Sequence, residues 1–356
     1  MKKIFLFAVL LFLIKNSYSL QISSYSLKGL DKRRLENEDR YIISEKLKIK
    51  DQNISLFAVF DGHGGSLVSN FLQENFVNLL NEYLNSECCK ILNFDYLLSD
   101  KCRNTFFGLL TLNINNNIKE RNMDSIVQNV GSTGCIAFKK DKNIYFLNVG
   151  DSRAALFDKN GTLLLVTNDQ KPSIKSKLTL NLLNAGAGLE QRLVYTNKTD
   201  KTDRKLFTRH ITKYGNGLCF TEYVSSINKN QKGSKKGIEK TFLKDEYLVD
   251  KYTQLYFPKE GYLLGPESAF GDFLFEKYEF NAIANDYCLE LTGNEKYLVL
   301  ATDGFWDKID NDACLYWINF ILNCFDDNFN NLAEHLCKYA RIKGSKDDIT
   351  VIVVKF

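Results

Sequence analysis

Three stretches of this chain run apolar and then stop on an aspartate, and that pattern restricts the fold more than any other feature. They are Phe57-Ala58-Val59-Phe60-Asp61-Gly62, Leu298-Val299-Leu300-Ala301-Thr302-Asp303-Gly304 and, with a glycine between, Asn148-Val149-Gly150-Asp151. A fourth aspartate, Asp347, stands just before the last apolar run. A strand that is apolar at every position is covered on both faces. The pattern therefore predicts buried strands whose ends reach a surface, where a carboxylate has a rigid support and can converge with others. Asp-Gly is also a common turn, so each instance alone reads first as only a turn; it is the recurrence after buried strands that points to a shared site.

Carboxylates gathered in one place repel one another unless protons or cations neutralise them. Oxygen ligands and only three histidines in 356 residues favour hard ions, Mg²⁺ or Mn²⁺, over zinc. Nine cysteines show no paired CxxC spacing, which argues against structural zinc. Glycine at positions 62 and 304 permits close backbone approach, with a carbonyl as a further ligand.

The clearest strands are residues 54–60, 144–149, 297–301 and 349–354. Segments 153–157 and 162–166 flank Asn160-Gly161 and should pair as a hairpin. Apolar residues recur at three- and four-residue spacing over 66–84 and 310–325, which predicts helices. Helices separate groups of strands without regular alternation, so the expected class is α+β, two packed antiparallel sheets (a β-sandwich) flanked by helices on both sides. A doubly wound parallel sheet is the weaker alternative. Residues 190–261 are rich in Lys, Asn, Thr and Gly, including the run 232–237, and read as an inserted flap. Its basic part is either a solvated loop or a surface for acidic or phosphorylated partners.

Lys2 and Lys3 precede an apolar run over residues 4–14, followed by Ser17 and Ser19 at cleavage-site spacing. Residues 1–19 thus read as a signal peptide, placing the mature protein in the secretory pathway, secreted or lumenal and without stable membrane insertion. A signal anchor tethering it to the membrane is the alternative, although the run is short for a span. The formal charge of +4 comes without arginine-aromatic interleaving and gives nucleic-acid binding no support.

Six segments taken together resemble the metal-dependent protein phosphatases of the 2C type. They are Arg34-Leu35-Glu36-Asn37-Glu38-Asp39, Phe60-Asp61-Gly62-His63-Gly64-Gly65, Gly131-Ser132-Thr133, Asn148-Val149-Gly150-Asp151-Ser152-Arg153, Thr302-Asp303-Gly304-Phe305-Trp306-Asp307 and Gly344-Ser345-Lys346-Asp347-Asp348, in the family order. The resemblance runs over residues 23–356 and implies one catalytic domain acting on phosphoserine and phosphothreonine in protein substrates. It makes Asp61 a bridging ligand to two cations, with the Gly62 carbonyl on one and Asp303 and Asp347 on the other. Glu38 and Asp39 would act through bound water, and Asp151 with Asp303 would hold a third, looser ion. Arg34 would grip the phosphate, and His63 would be the general acid for the departing oxygen. The implied mechanism is in-line attack by a water shared between two cations, without a covalent phosphoenzyme.

The middle of the pattern departs from the family. Gln170 stands where histidine is usual, and Glu267-Ser268 replace a serine-arginine pair. These changes spare the expected ligands and bear on substrate recognition. A degenerate phosphatase that captures phosphoproteins without turnover is the alternative function; the intact carboxylate set speaks against it.

Overall fold

The computed structural model describes residues 20–32, 34–49, 52–86, 97–121, 128–197, 204–214, 217–226, 247–324 and 329–356. The leader at 1–19 and the basic run at 232–237 lie outside the described residues. In chain order the strands of the first half are β1 (Gln21–Leu27), β2 (Arg40–Ile49), β3 (Gln52–Phe60), β4 (Gly62–His63), β5 (Gly131–Ser132), β6 (Gly134–Lys140), β7 (Asn143–Val149), β8 (Arg153–Asp158) and β9 (Leu163–Val166). Those of the second half are β10 (Gly188–Asn197), β11 (Arg204–Tyr214), β12 (Gly217–Ser226), β13 (Tyr247–Phe257), β14 (Tyr262–Leu264), β15 (Phe270–Gly271), β16 (Asn285–Glu290), β17 (Glu295–Ala301) and β18 (Ile349–Lys355). The α-helices are α1 (Leu67–Asn85), α2 (Asp100–Arg121), α3 (Lys177–Asn184), α4 (Asp303–Trp306), α5 (Asn311–Cys324) and α6 (Leu332–Ile342).

Side chains alternate across a strand, and on β3 both sets are apolar because both faces are covered. Phe57 and Val59 join Phe146, Leu156, Leu300 and Ile352 in a core between two sheets. Leu56, Ala58 and Phe60 face the other way, toward Phe76 of α1 and Phe107 of α2. One sheet has the order β16-β7-β6-β3-β2 and the other β1-β18-β17-β8-β9, with antiparallel pairing throughout. The second sheet repeats the arrangement: Val299, Ala301, Val351 and Val353 pack under Ile318 of α5 and Leu336 of α6. The result is helix layer, sheet, sheet, helix layer, as the sequence predicts, and the antiparallel pairing excludes the doubly wound alternative. The hairpin expected at Asn160-Gly161 forms, with Asp158 Oδ1 accepting from the amides of Asn160 and Thr162 at 2.8 and 2.7 Å.

The inserted segment is not an open loop where it is described. Strands β10 to β13 join β14 in a third large sheet, ordered β12-β11-β10-β13-β14. Its base is buried: Leu189, Ile211, Leu255 and Phe257 pack with Leu182 and Leu183 of α3 and with Phe275. Phe257 and Phe275 stack at 4.1 Å. A small sheet, β15-β5-β4, joins this region to the metal motif.

Candidate metal centre

Strand pairing delivers the expected residues to one rim. Asp61 follows β3 and is held from the side by Thr133: the Thr133 amide donates to the Asp61 carbonyl at 2.9 Å, and the Asp61 amide to Thr133 Oγ1 at 3.3 Å. Thr133 Oγ1 also meets Ser152 Oγ at 2.7 Å. The Gly131-Ser132-Thr133 motif is thus a clip between the turn bearing Asp61 and the turn bearing Asp151. Asp303 departs from the simple strand-end picture, being the first residue of α4, one position past Thr302. Gly304 explains this placement, because a Cβ there would strike the Asp348 carbonyl; only glycine lets the start of α4 lie against the segment carrying Asp347. Gly62 serves likewise, since its Cβ would come 2.5 Å from the Glu38 carbonyl.

The opening motif is tied to the closing one. Asp348 is buried and accepts from the amides of Gly29 at 2.5 Å and Glu38 at 2.8 Å. Asp39 Oδ2 accepts from the hydroxyls of Thr302 at 2.9 Å and Thr350 at 2.7 Å. Arg34 is engaged by carboxylates: Nη1 donates to Asp347 Oδ1 at 2.6 Å, and Nε lies 3.3 Å from Glu38 Oε2. His63 Nε2 lies 2.6 Å from Oδ2 of fully buried Asp272. A carboxylate accepts, so Nε2 carries the proton.

The field of the rim is acidic. Withdrawal from water pushes Asp61 well above the usual carboxylate range, and Asp39, Asp303, Asp347 and Asp151 push it further. Asp303 is raised in the same way, by desolvation and then by Asp151 and Asp307. Burial lifts Asp39 to about 7 against the hydrogen bond from Thr350, and lifts Asp151 to about 6 against the attraction of Lys171. Glu38 is raised by burial, with Arg34 opposing. Burial lowers the Arg34 guanidinium, but Asp347 and Glu38 more than offset this and its net shift is upward. His63 is also raised on balance, as Asp272 outweighs its desolvation.

Among the described residues no three His, Cys, Asp or Glu side chains are arranged to hold an ion outright. The donor set nevertheless fits hard divalent cations. Asp39 Oδ1 is buried with no hydrogen-bond partner, a costly state for an acceptor unless a cation or its water completes it; Glu38 Oε2, likewise without a hydrogen bond, has its ion pair with Arg34. The local positive charges are drawn onto carboxylates instead, Arg34 onto Asp347 and Lys171 onto Asp307.

Four residues of the rim had no assigned role in the sequence: Asp272, Asp348, Lys171 and Asp307. Asp307 stands four positions after Asp303, the spacing that places two side chains on one helical face, and Asp348 adjoins Asp347 in the last of the six segments; Asp272 and Lys171 carried no local signal. The departures from the family pattern are structurally complete. Gln170 Oε1 accepts from the Gly150 amide at 2.5 Å, and its Nε2 donates to the Ile283 carbonyl at 2.9 Å. Glu267 accepts from the hydroxyls of Ser176 at 2.7 Å and Thr179 at 2.5 Å, and Ser268 Oγ accepts from the Ile283 amide at 2.7 Å.

A helix-flanked antiparallel sandwich that gathers carboxylates, a guanidinium and an imidazole on one rim defines a class of protein built around divalent cations. The family model of protein phosphatase 2C matches residues 23–176 and 268–349, and the chain belongs to that family. A probable protein phosphatase 2C from Oryza sativa subsp. japonica is 25% identical over 325 residues, covering 91% of this chain and 63% of the relative. Human protein phosphatase 1B is 24% identical over 344 residues, covering 93% of this chain and 57% of its own length. The chain therefore spans about three fifths of these relatives. The crystal structure of a serine-threonine phosphatase 2C from Toxoplasma gondii shares the fold with a TM-score of 0.61 at 18% identity, over 95% of each chain.

Proposed function

We propose that this chain is a metal-dependent protein phosphatase that hydrolyses phosphoserine and phosphothreonine by direct attack of water. The observation that carries the reading is the convergence of Glu38, Asp39, Asp61, Asp151, Asp303 and Asp347 on one rim with Arg34 and His63. Mg²⁺ or Mn²⁺ would be held by Asp61, the Gly62 carbonyl, Asp303 and Asp347, with Glu38 and Asp39 behind them. Bound there, such ions lower the pKa of water and withdraw charge from phosphoryl oxygens. Arg34 carries a planar fork matched to a phosphate, which it could offer to substrate where Asp347 is held by a cation instead. His63 keeps Nε2–H on Asp272, so Nδ1 is the ring nitrogen left to hand a proton to the departing oxygen. Tyr262, at the end of the inserted sheet, lies within the fields of Asp272 and Glu38, which supports a role for the insert in meeting a protein substrate beside the site.

The leader at 1–19 supports action in the secretory lumen or outside the cell, after cleavage. The mass of the mature N-terminus tests this, and an intact leader would favour a tethered form. The activity is tested by phosphate release from a phosphothreonine peptide with Mn²⁺ or Mg²⁺, beside a chelated control and Asp303→Asn. Loss on the order of a thousandfold in the variant is expected. Ion binding without turnover in folded wild-type protein would overturn the reading in favour of phosphoprotein capture.

A further inference from the structure

Exposed apolar side chains gather at one edge of the acidic rim. Among the described residues, Leu35 at 93%, Ile342 at 80% and Leu30 at 61% are three of the four most exposed large hydrophobic side chains. Scattered singly, such residues need no explanation, but gathered beside a site they mark a contact surface. The pairing of β1 with β18 sets Leu27 opposite Ile349, so the segment leaving β1 runs beside the one entering β18. The Leu30 amide donates to the Lys346 carbonyl at 2.8 Å. Arg341 ties the two further, Nη1 donating to the Ser345 carbonyl at 2.7 Å and Nη2 to the carbonyls of Lys28 and Asp347 at 2.8 and 2.9 Å. Lys28 Nζ donates to the Leu35 carbonyl at 2.6 Å. The backbone of this lip is fastened at several points, and its apolar side chains stand exposed from fixed positions.

The charge of the lip is opposite to that of the rim behind it. Asp347 is engaged by Arg34, and Asp348 is buried against the amides of Gly29 and Glu38, which turns both carboxylates of the closing segment inward. Asp31 is half-buried, and Glu36 accepts from Ser66 at the start of α1. Lys32, Lys343 and Lys346 are exposed, Lys343 lying over the Tyr339 ring at 5.2 Å. The outward surface thus sets ammonium groups among leucine and isoleucine. It also adjoins the reacting groups, as Leu35 follows Arg34 and Lys346 precedes Asp347.

We propose that the lip carrying Leu30, Lys32, Leu35, Ile342, Lys343 and Lys346 receives the residues that flank the phosphorylated side chain of a protein substrate, and that it selects flanks both apolar and acidic. The inference rests on the phosphatase reading and names the substrates that this site takes. A phosphate gripped by Arg34 carries its chain neighbours onto the lip, because successive residues of an extended segment lie only about 3.5 Å apart. Apolar flanks cover the leucines and Ile342 and remove their area from water. Carboxylates beside them meet the ammonium groups, whereas basic flanks are repelled. A small aryl phosphate has no flanks and gains nothing from the lip.

The test is hydrolysis by the full chain in Mn²⁺ of a phosphothreonine peptide flanked on both sides by leucine and glutamate, the same peptide with serine and lysine flanks, and a small aryl phosphate. Wild type should prefer the first peptide by about tenfold or more in kcat/KM, the difference lying in KM, and added salt should reduce that preference. Leu35→Ser should raise KM for the first peptide by about tenfold. Lys32→Glu combined with Lys346→Glu should raise it by about fivefold. Both should leave the rate on aryl phosphate unchanged. Equal kcat/KM for the two peptides in wild type, or an unchanged KM in both variants, overturns the proposal, and the first of these outcomes needs no variant to fold. Binding to vesicles of anionic phospholipid that is lost in Leu35→Ser while KM stays unchanged overturns it in favour of a membrane surface. No phosphate release from any of the three substrates by folded wild type overturns the phosphatase reading instead.

Discussion

The sandwich and the inserted sheet are both antiparallel, yet they are stabilised in opposite ways. Every central strand of the sandwich is covered twice, by the facing sheet and by a helix pair. The inserted sheet is buried at its base, through Leu189, Ile211, Leu255 and Phe257. Farther along β10, Glu190 accepts from Arg192 and lies 2.7 Å from His210 Nε2, forming a polar cluster. Matches to the family model stop at residue 176 and resume at 268, so the shared region is the doubly covered one. The contrast teaches a division of labour: carboxylates that must converge stand on elements fixed from two sides, while surface free to diversify hangs from one apolar root.

The largest expected effect lies in the doubly covered layer. Phe146→Ala should cost about 3–5 kcal/mol of stability, as its ring is fully buried between the sheets; urea denaturation measures it. A cost below about 1 kcal/mol would break the comparison, since it would mean that the sandwich tolerates cavities as loosely as a surface does.

The next concerns the acidic rim of that layer. Asp39 has a folded pKa of about 7 against an ordinary 3.8, so the folded, chelated protein binds more protons than the unfolded chain between those values. Stability linked to this group is fully present below about pH 4 and is lost as pH rises toward 7. The loss should be about 2–4 kcal/mol for a carboxylate this buried. Chelated protein should therefore melt higher at pH 5 than at pH 8, and Mn²⁺ should restore the melting temperature at pH 8. A higher Tm at pH 8 without metal would contradict the account.

Glu267→Ala sharpens the contrast from the other side. It removes the acceptor for two hydroxyls at the start of α3, whose Leu182 and Leu183 pack on the inserted sheet. About 1–3 kcal/mol should be lost locally, seen as faster amide exchange in β10 and β11 with the sandwich unchanged. Hydrolysis of a phosphoprotein should fall more than that of a small aryl phosphate, and equal losses would refute separate roles. The smallest effect is expected for Lys119→Ala, which breaks an exposed pair with Glu276 at 2.6 Å and should change stability by about 0–1 kcal/mol.

What could be read from the sequence follows the same division. Residues 54–60 announce a strand because both faces are apolar, and the spacing in 66–84 announces α1 because one stripe packs on a sheet. In β11 the run Arg204–Tyr214 carries two lysines, two arginines and a histidine, and such a run reads as polar loop. The expected carboxylates do reach one rim, whereas their companions were hidden by distance along the chain. Asp272 is 209 positions from His63 and Asp348 is 310 from Glu38, and no local pattern links such pairs. Arg34, expected on phosphate, rests on Asp347 because two charges left near one another pair first.

The pairing of β1 with β18, Ile22 opposite Val354 and Leu27 opposite Ile349, bears on how the chain is made. Arg34 and Asp347 are 313 residues apart, and the strand that brings them together is synthesised after the rest of the sandwich. While the earlier part emerges, β1 has no neighbour, and an unpaired strand in a growing chain is an invitation to aggregation. Contacts of such long range also close slowly. The acidic rim consequently forms only once translation has passed β18, and until then its carboxylates stay apart.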